Sequence, residues 1–154
     1  MSLSADFLAT EARLITRVRA LLPAWPARAV MGAADMAGVQ DLGQFAPAVF
    51  VVYAGTQLEQ GQSGGVLLWG AGALRQLLQQ WRVVLQLRNA QGAALGDGLR
   101  TSAGPLLATL CAGLSGYVPP EAPTDIYQLA AVPAPEIDAS LARYFIDLQC
   151  SVVW

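Results

Sequence analysis

One almost uninterrupted apolar run constrains the fold more than any other part of the chain: Ala46-Pro47-Ala48-Val49-Phe50-Val51-Val52-Tyr53. Pro47 stands near its start and Gly55 follows its end, so both boundaries carry residues that interrupt regular structure. A short apolar run with such boundaries predicts a central strand that other elements cover on both faces. We therefore expect a layered core anchored on this strand.

Alternating apolar and polar side chains predict two further strands. Residues 81–88 place Arg82, Gln86 and Arg88 on the face opposite their apolar residues, so this strand should be half exposed. Residues 144–154 alternate in the same way, and Arg143 at their start should be solvated. Weaker patterns predict short strands at 27–31, 66–69 and 126–132, whereas residues 73–80 fit a helical turn and a strand equally well.

Two segments have helical spacing. Residues 4–22 form an amphipathic pattern that Ser4 can cap and Pro23 ends. The second helix carries a stripe of apolar residues and should end at Gly116 in a left-handed C-cap. It begins either at Ser102 or earlier with a kink at Pro105. The stripe consists of Leu99, Ala103, Leu106, Leu110 and Leu114.

This order of elements predicts an α+β fold in one domain that spans residues 1–154. A mainly antiparallel sheet should carry the N-terminal helix and the second helix on one side. Residues 56–65 are polar and glycine-rich, so we expect a flexible exposed loop or the arm of a long hairpin there. The candidate assembly residues in this arm are Gln57, Glu59, Gln60, Gln62 and Ser63.

Composition favours a protein that is covered by partners. Hydrophobic residues make up 55% of the sequence and charged residues 13%, which is about half the charged share of an average soluble protein. Much of the surface must therefore be apolar or neutral, and large apolar patches usually mark contacts with other proteins. Self-assembly is the first hypothesis.

Several residues that enzymes rely on are missing. The chain has no histidine and no lysine, which removes the commonest general base, Schiff-base chemistry and the Walker phosphate loop. Two separated cysteines, Cys111 and Cys150, cannot build a cysteine-rich zinc site, and their apolar surroundings favour buried thiols over a disulfide. We expect no catalysis, no cofactor and no metal.

Carboxylate chemistry is what this composition leaves open. Asp35 with Asp41, and Glu136 with Asp138, are the close acidic pairs outside the first helix, and both pairs lie in stretches rich in Ala, Gly or Pro. Solvated loops are the simpler interpretation of such positions. Asp35 would also cap a weak helical turn toward Leu42. A small enzyme or ligand-binding domain with Asp35, Asp41 or Asp97 in a pocket is the alternative.

Charge and hydropathy argue against nucleic acid and membrane as partners. The net charge is −2 with a pI near 4.9, so no broad basic face is available to phosphates. No uncharged apolar run approaches the roughly 20 residues that span a bilayer. Charged residues within the first 22 positions interrupt any secretory signal pattern, so we expect a cytoplasmic protein.

Taken together, these segments resemble the small tail terminator and minor tail proteins of tailed phages, in particular the type found in Mu-like prophages. The resemblance rests on the N-terminal helix, the strand at 46–53, the glycine-rich arm, the Gln80-Trp81-Arg82-Val83-Val84-Leu85 strand, and the later helix with Leu106, Leu107 and Leu110 before Gly116. These features span most of the chain, although none is specific alone.

The resemblance implies a structural protein. Members form a closed ring, typically of six subunits, at the head-proximal end of the tail tube, where the ring stops tube growth and faces the head–tail connector. The implied partners are copies of the chain, the tail tube protein and the connector protein, first in the host cytoplasm and then in the virion tail. A baseplate, contractile-injection or secretion-system subunit is the alternative within the assembly class.

Overall fold

The computed structural model describes residues 8–37, 41–58, 67–69, 72–74, 76–89, 96–123, 125–138 and 140–153. The helices are α1 (Ala9–Leu21), α2 (Ala33–Ala37) and α3 (Gly96–Leu114), with short 3-10 turns at Ala27–Ala29 and Leu42–Gln44. The strands are β1 (Val30–Gly32), β2 (Ala48–Leu58), β3 (Leu67–Trp69), β4 (Gly72–Leu74), β5 (Gln76–Arg88), β6 (Tyr127–Ala131), β7 (Glu136–Ile137) and β8 (Leu141–Val153).

Six strands form one mixed sheet in the order β1-β2-β5-β8-β6, and β7 also pairs with β8. The β1–β2 pair is parallel and every other pair in this sheet is antiparallel. Strands β3 and β4 pair with each other in a separate antiparallel ribbon. The predicted α+β class, with a mainly antiparallel sheet, is confirmed.

The main core lies between this sheet and helices α1 and α3. Because side chains alternate across a strand, the cross-strand row Val51–Val83–Ile146 faces the helices as a unit. Leu14 of α1 and Leu110 of α3 pack on this face, and all five side chains are fully or almost fully buried. The two helices therefore lie on one side of the sheet, as predicted.

The strand predicted at 46–53 is buried on both faces. Val49 and Val51 face the helices, whereas Ala48 and Phe50 join a second apolar cluster with Met31. Short segments from β1, α2 and the following turn cover that second face at this end of the sheet. The strand lies between β1 and β5, so the middle position belongs to β5.

The strand predicted at 81–88 is confirmed, with Arg82 and Arg88 exposed as expected, but it differs in two details. It begins at Gln76, which resolves most of the open segment 73–80 as strand. Gln86, expected in solvent, is 1% exposed, and Arg143 of β8 compensates its burial by donating a hydrogen bond from Nε to Gln86 Oε1 over 3.0 Å. The prediction of a merely solvated Arg143 fails for the same reason.

The boundaries of the second long helix match one predicted alternative. Helix α3 begins at Gly96, so the earlier of its two predicted starts is confirmed, and it continues through Pro105. The missing proline N–H costs one helical hydrogen bond, but burial of Ala103, Leu110 and Leu114 offsets it. Gly116 has φ of +73°, the left-handed conformation predicted for its C-cap. Ser4, the predicted cap of α1, lies outside the described residues.

Two smaller predictions are modified and a third is confirmed. Residues 27–29 form a 3-10 turn, and strand β1 begins only at Val30. Asp35 lies inside α2, where its Oδ2 accepts a hydrogen bond from the Gly32 N–H at 3.0 Å. The C-terminal alternation is confirmed, since Ile146, Leu148, Cys150 and Val152 are buried, whereas Trp154 lies outside the described residues.

Candidate functional site

The predicted assembly arm begins as a continuation of strand β2. Gln57 lies in β2, is exposed, and stands opposite Leu78 of β5. Thr56 and Leu58 are paired with β5 in the same way. The loop therefore starts no earlier than residue 59. The other candidate residues, Glu59, Gln60, Gln62 and Ser63, lie outside the described residues.

Each described member of the predicted acidic pairs serves its own turn or strand pair. Asp138 Oδ1 accepts hydrogen bonds from the backbone of Ser140 and of Leu141, each at 2.7 Å, and from the Ser140 hydroxyl at 3.0 Å. These bonds lower the pKa of Asp138, which makes it a poor proton donor near neutral pH. Glu136 points instead to Arg143, at 4.0 Å.

Asp41 and Asp35, the other predicted acidic pair, likewise bond to the backbone nearby in the chain. Asp41 Oδ1 accepts a hydrogen bond from the Gly43 N–H at 2.8 Å, as Asp35 does from Gly32. The side chain of Asp97 lies outside the described part of the structure. Among the residues the structure describes, no three His, Cys, Asp or Glu side chains come together in a way that could hold a metal ion.

Both cysteines are free thiols in unreactive surroundings. Cys150 is buried, whereas Cys111 is half buried, which is less than predicted. Burial raises the pKa of Cys150 to about 12 and also raises the pKa of Cys111. Since the thiolate is the nucleophile, neither cysteine is activated for chemistry.

Sequence reasoning missed the contacts that α1 makes with the segment after α3. Arg13 Nη1 donates to Asp125 Oδ2 over 2.8 Å, and the two side chains are only 15% and 6% exposed. Arg17 donates from Nε to the Gly113 carbonyl at 3.0 Å and stacks over Tyr117. The partners are about a hundred residues apart in the chain, so no local pattern could reveal them.

The close approach of α1 and α3 depends on Gly113. A Cβ atom at this position would lie 2.3 Å from Cδ2 of Leu21, well inside contact distance. Tyr117, which follows α3, stacks on Tyr127 at the start of β6. The arginines, the tyrosines and this tight helix crossing together fix the position of strand β6 at the side of the sheet.

The strongest candidate for a functional surface is the apolar edge, which we define as residues 126–137. Of the six large hydrophobic side chains that are exposed in the described part of the chain, four lie in the apolar edge and a fifth, Val118, lies in the segment leading to it. No charged residue occurs between Asp125 and Glu136. The four are Ile126, Leu129, Val132 and Ile137, which with Val118 are between 38% and 56% exposed.

A surface of this kind is suited to binding another protein. An uncharged edge strand with exposed apolar side chains is a template for pairing with another chain, and most proteins protect such edges with charges or cover. The sequence contained the signal, since residues 126–135 lack any charge, but it predicted only a strand there. None of the described helices is long and apolar enough to cross a membrane.

The comparison with known proteins agrees with this structural character. No curated protein matches the chain. A family model described as phage tail terminator protein matches residues 3–151, which include every helix and nearly every strand of the fold. The resemblance predicted from the sequence is thereby confirmed. The chain belongs to the phage tail terminator protein family, whose members are structural proteins of the virion tail that associate with other tail proteins.

Proposed function

We propose that this chain, acting as one domain, forms a closed ring on the head-proximal end of the tail tube. The ring ends tube growth and offers its other surface to the head–tail connector. The protein assembles in the host cytoplasm and remains in the virion tail. It works without catalysis, metal or cofactor, since its role is to occupy a surface.

The observation that carries this proposal is the apolar edge in a chain of the tail terminator family. A ring needs the same heterologous contact between every pair of neighbours. Residues 126–135 of the edge supply uncharged, exposed apolar surface for one side of that contact. The segment around 56–65, with Gln57 in the extension of β2, is the proposed contact to a neighbour or to the tube.

Tube polymerisation tests the proposal directly. Purified tail tube protein is polymerised with and without this chain, and tube length and end density are measured by electron microscopy. We expect tubes that stop growing and carry a ring at one end. Tubes of unchanged length with bare ends would contradict the proposal, and a ring at the distal end would indicate a different tail component.

The arm is tested separately. Because Gln57 and Leu58 belong to β2, the deletion is limited to residues 59–63, and the control replaces them with a glycine–serine linker of equal length. We expect both variants to fold, and both to lose ring formation or tube binding if side chains of the arm make the contact. Normal rings and normal tails in both variants would remove the arm from the mechanism.

A further inference from the structure

The main sheet has two edge segments, one on each side, that no described strand pairs with. On one side, β6 pairs with β8, and no strand in the described part of the chain lies on its other side. On the other side, β1 lies beside only Val49–Val51 of β2. Past Val51 no described strand continues beside β2, although β2 itself extends to Leu58.

These two edge segments share the same cross-strand rows and lie at opposite edges of the sheet. Thr56 of β2 is level with Gln79 of β5, which is level with Cys150 of β8, which is level with Tyr127 of β6. Four residues along β2 and β6, and three along β5 and β8, the row Val52–Arg82–Asp147–Ala131 crosses the sheet in the same way. Moving one copy sideways in the plane of the sheet therefore brings β6 of one molecule beside residues 52–58 of β2 in the next. We call residues 52–58 the upper part of β2.

Strand directions are also compatible. Strand β2 runs antiparallel to β5, β5 antiparallel to β8, and β8 antiparallel to β6. It follows that β2 and β6 run in opposite directions. Two copies in the same orientation would then meet as an antiparallel pair, which is the slightly more stable kind of strand pairing.

The chemistry of the two segments matches as well. Residues 52–58 of β2 and residues 127–131 of β6 contain no charge and no proline, so neither segment carries the residues that most directly oppose pairing with another strand. Ala54 and Gln57 on β2, and Gln128 and Ala130 on β6, are exposed. Each segment also has a bulge, at Tyr53/Gly55 and at Leu129/Ala131. Bulges increase the local twist, which favours a curved assembly over a flat one.

We propose that β6 of one copy adds as an antiparallel strand beside the upper part of β2 in the next copy. This strand addition is the subunit contact of the ring, so the inference rests on the proposed function. The contact is heterologous, because each molecule uses a different side of its sheet toward each neighbour, and repetition closes a ring when the rotation between copies allows it.

Cysteine crosslinking tests the register. If the rows continue from one copy to the next, Thr56 faces Tyr127 and the exposed Gln57 faces the exposed Ile126. The double variant Gln57→Cys with Ile126→Cys is oxidised with copper and dissolved oxygen under conditions where the wild-type chain forms rings. We expect a ladder of covalent oligomers on a denaturing gel. Each single variant, and Ala108→Cys with Ile126→Cys, should give no ladder, since Ala108 lies exposed on α3.

Charge substitution tests the energetics. Ala130→Lys places a charge on the β6 side of the contact, and Ala108→Lys is the matched control on α3. We expect Ala130→Lys to raise the protein concentration needed for ring formation by about tenfold or more, with no change in thermal unfolding. Ala54→Lys should act similarly from the β2 side. In this register Ala54 faces Leu129, so combining Ala54→Lys with Leu129→Glu should restore assembly, which a merely structural effect would not do.

The outcomes separate this contact from the proposed function. Wild-type rings with no ladder, and with unchanged assembly of Ala130→Lys and Ala54→Lys, would overturn the strand pairing and leave the ring intact. A ladder in open filaments that never cap tubes would support the pairing and overturn the proposed function. Ladders in rings on tube ends would support both.

Discussion

The two faces of the main sheet contain similar residues in very different surroundings. On the helix-covered face, Trp81 and Ile146 are fully buried beneath α1 and α3. On the opposite face, Phe50 and Val84 are buried in a smaller cluster with residues of short segments, and Arg82 lies exposed beside half-buried Phe145. The difference shows that distant helices create one core, whereas short neighbouring segments create the other.

Two arginine–aspartate pairs sharpen the comparison. Arg13–Asp125, beside the helix-covered face, and Arg82–Asp147, on the opposite face, have nearly equal shortest distances of 2.8 and 2.7 Å. The first pair is 15% and 6% exposed and the second 44% and 26%. Water screens the second pair, while removal of one partner from the first leaves a charge with little solvent. Burial therefore determines what each pair contributes.

The largest effect is expected from Trp81→Ala on the helix-covered face. The indole is fully buried in the main core, where it packs against Tyr53 and donates a hydrogen bond to Gln79 Oε1, and its loss should lower the free energy of unfolding by about 3–5 kcal/mol. Urea denaturation followed by circular dichroism measures the loss. The control is Phe145→Ala on the opposite face, where partial exposure predicts a smaller loss. Equal losses would show that the two faces are not different in packing.

A smaller effect is expected from Asp125→Asn. Among the described residues, the substitution leaves Arg13 with the exposed Glu121 as its acidic neighbour, at 3.6 Å, and should cost about 3 kcal/mol of unfolding free energy. Glu121→Gln is the matched control and should be close to neutral. If both substitutions are neutral, the pair does not hold the segment before β6 in place.

The smallest effect is expected at the exposed pair. A double-mutant cycle of Arg82→Ala and Asp147→Ala should give a coupling free energy below about 1 kcal/mol, which decreases further with added salt. A coupling as large as the loss caused by Asp125→Asn, or one that salt does not change, would end the distinction between the faces.

Much of the fold follows from local patterns. The strands at 46–53, 81–88 and 144–154 and the two long helices are each encoded by side-chain periodicity within one segment. The absence of histidine and lysine from the sequence argued against most kinds of catalytic site. The errors arose where distant parts of the chain form the surroundings of a side chain. The polar side chain of Gln86 suggested exposure to solvent, but it accepts a hydrogen bond from Arg143.

The sequence by itself determined the fold class, the order of elements, the uncharged character of residues 126–135 and the resemblance to tail terminators. Only the tertiary structure decided that Arg13 meets Asp125, that β6 is the outermost of the described strands on its side of the sheet, and that it lies in the same cross-strand rows as residues 52–58 of β2. The physical reason is how far apart along the chain the interacting residues lie. Periodicity reports which face of one element is apolar, whereas strand order and long-range contacts depend on how all elements pack at once.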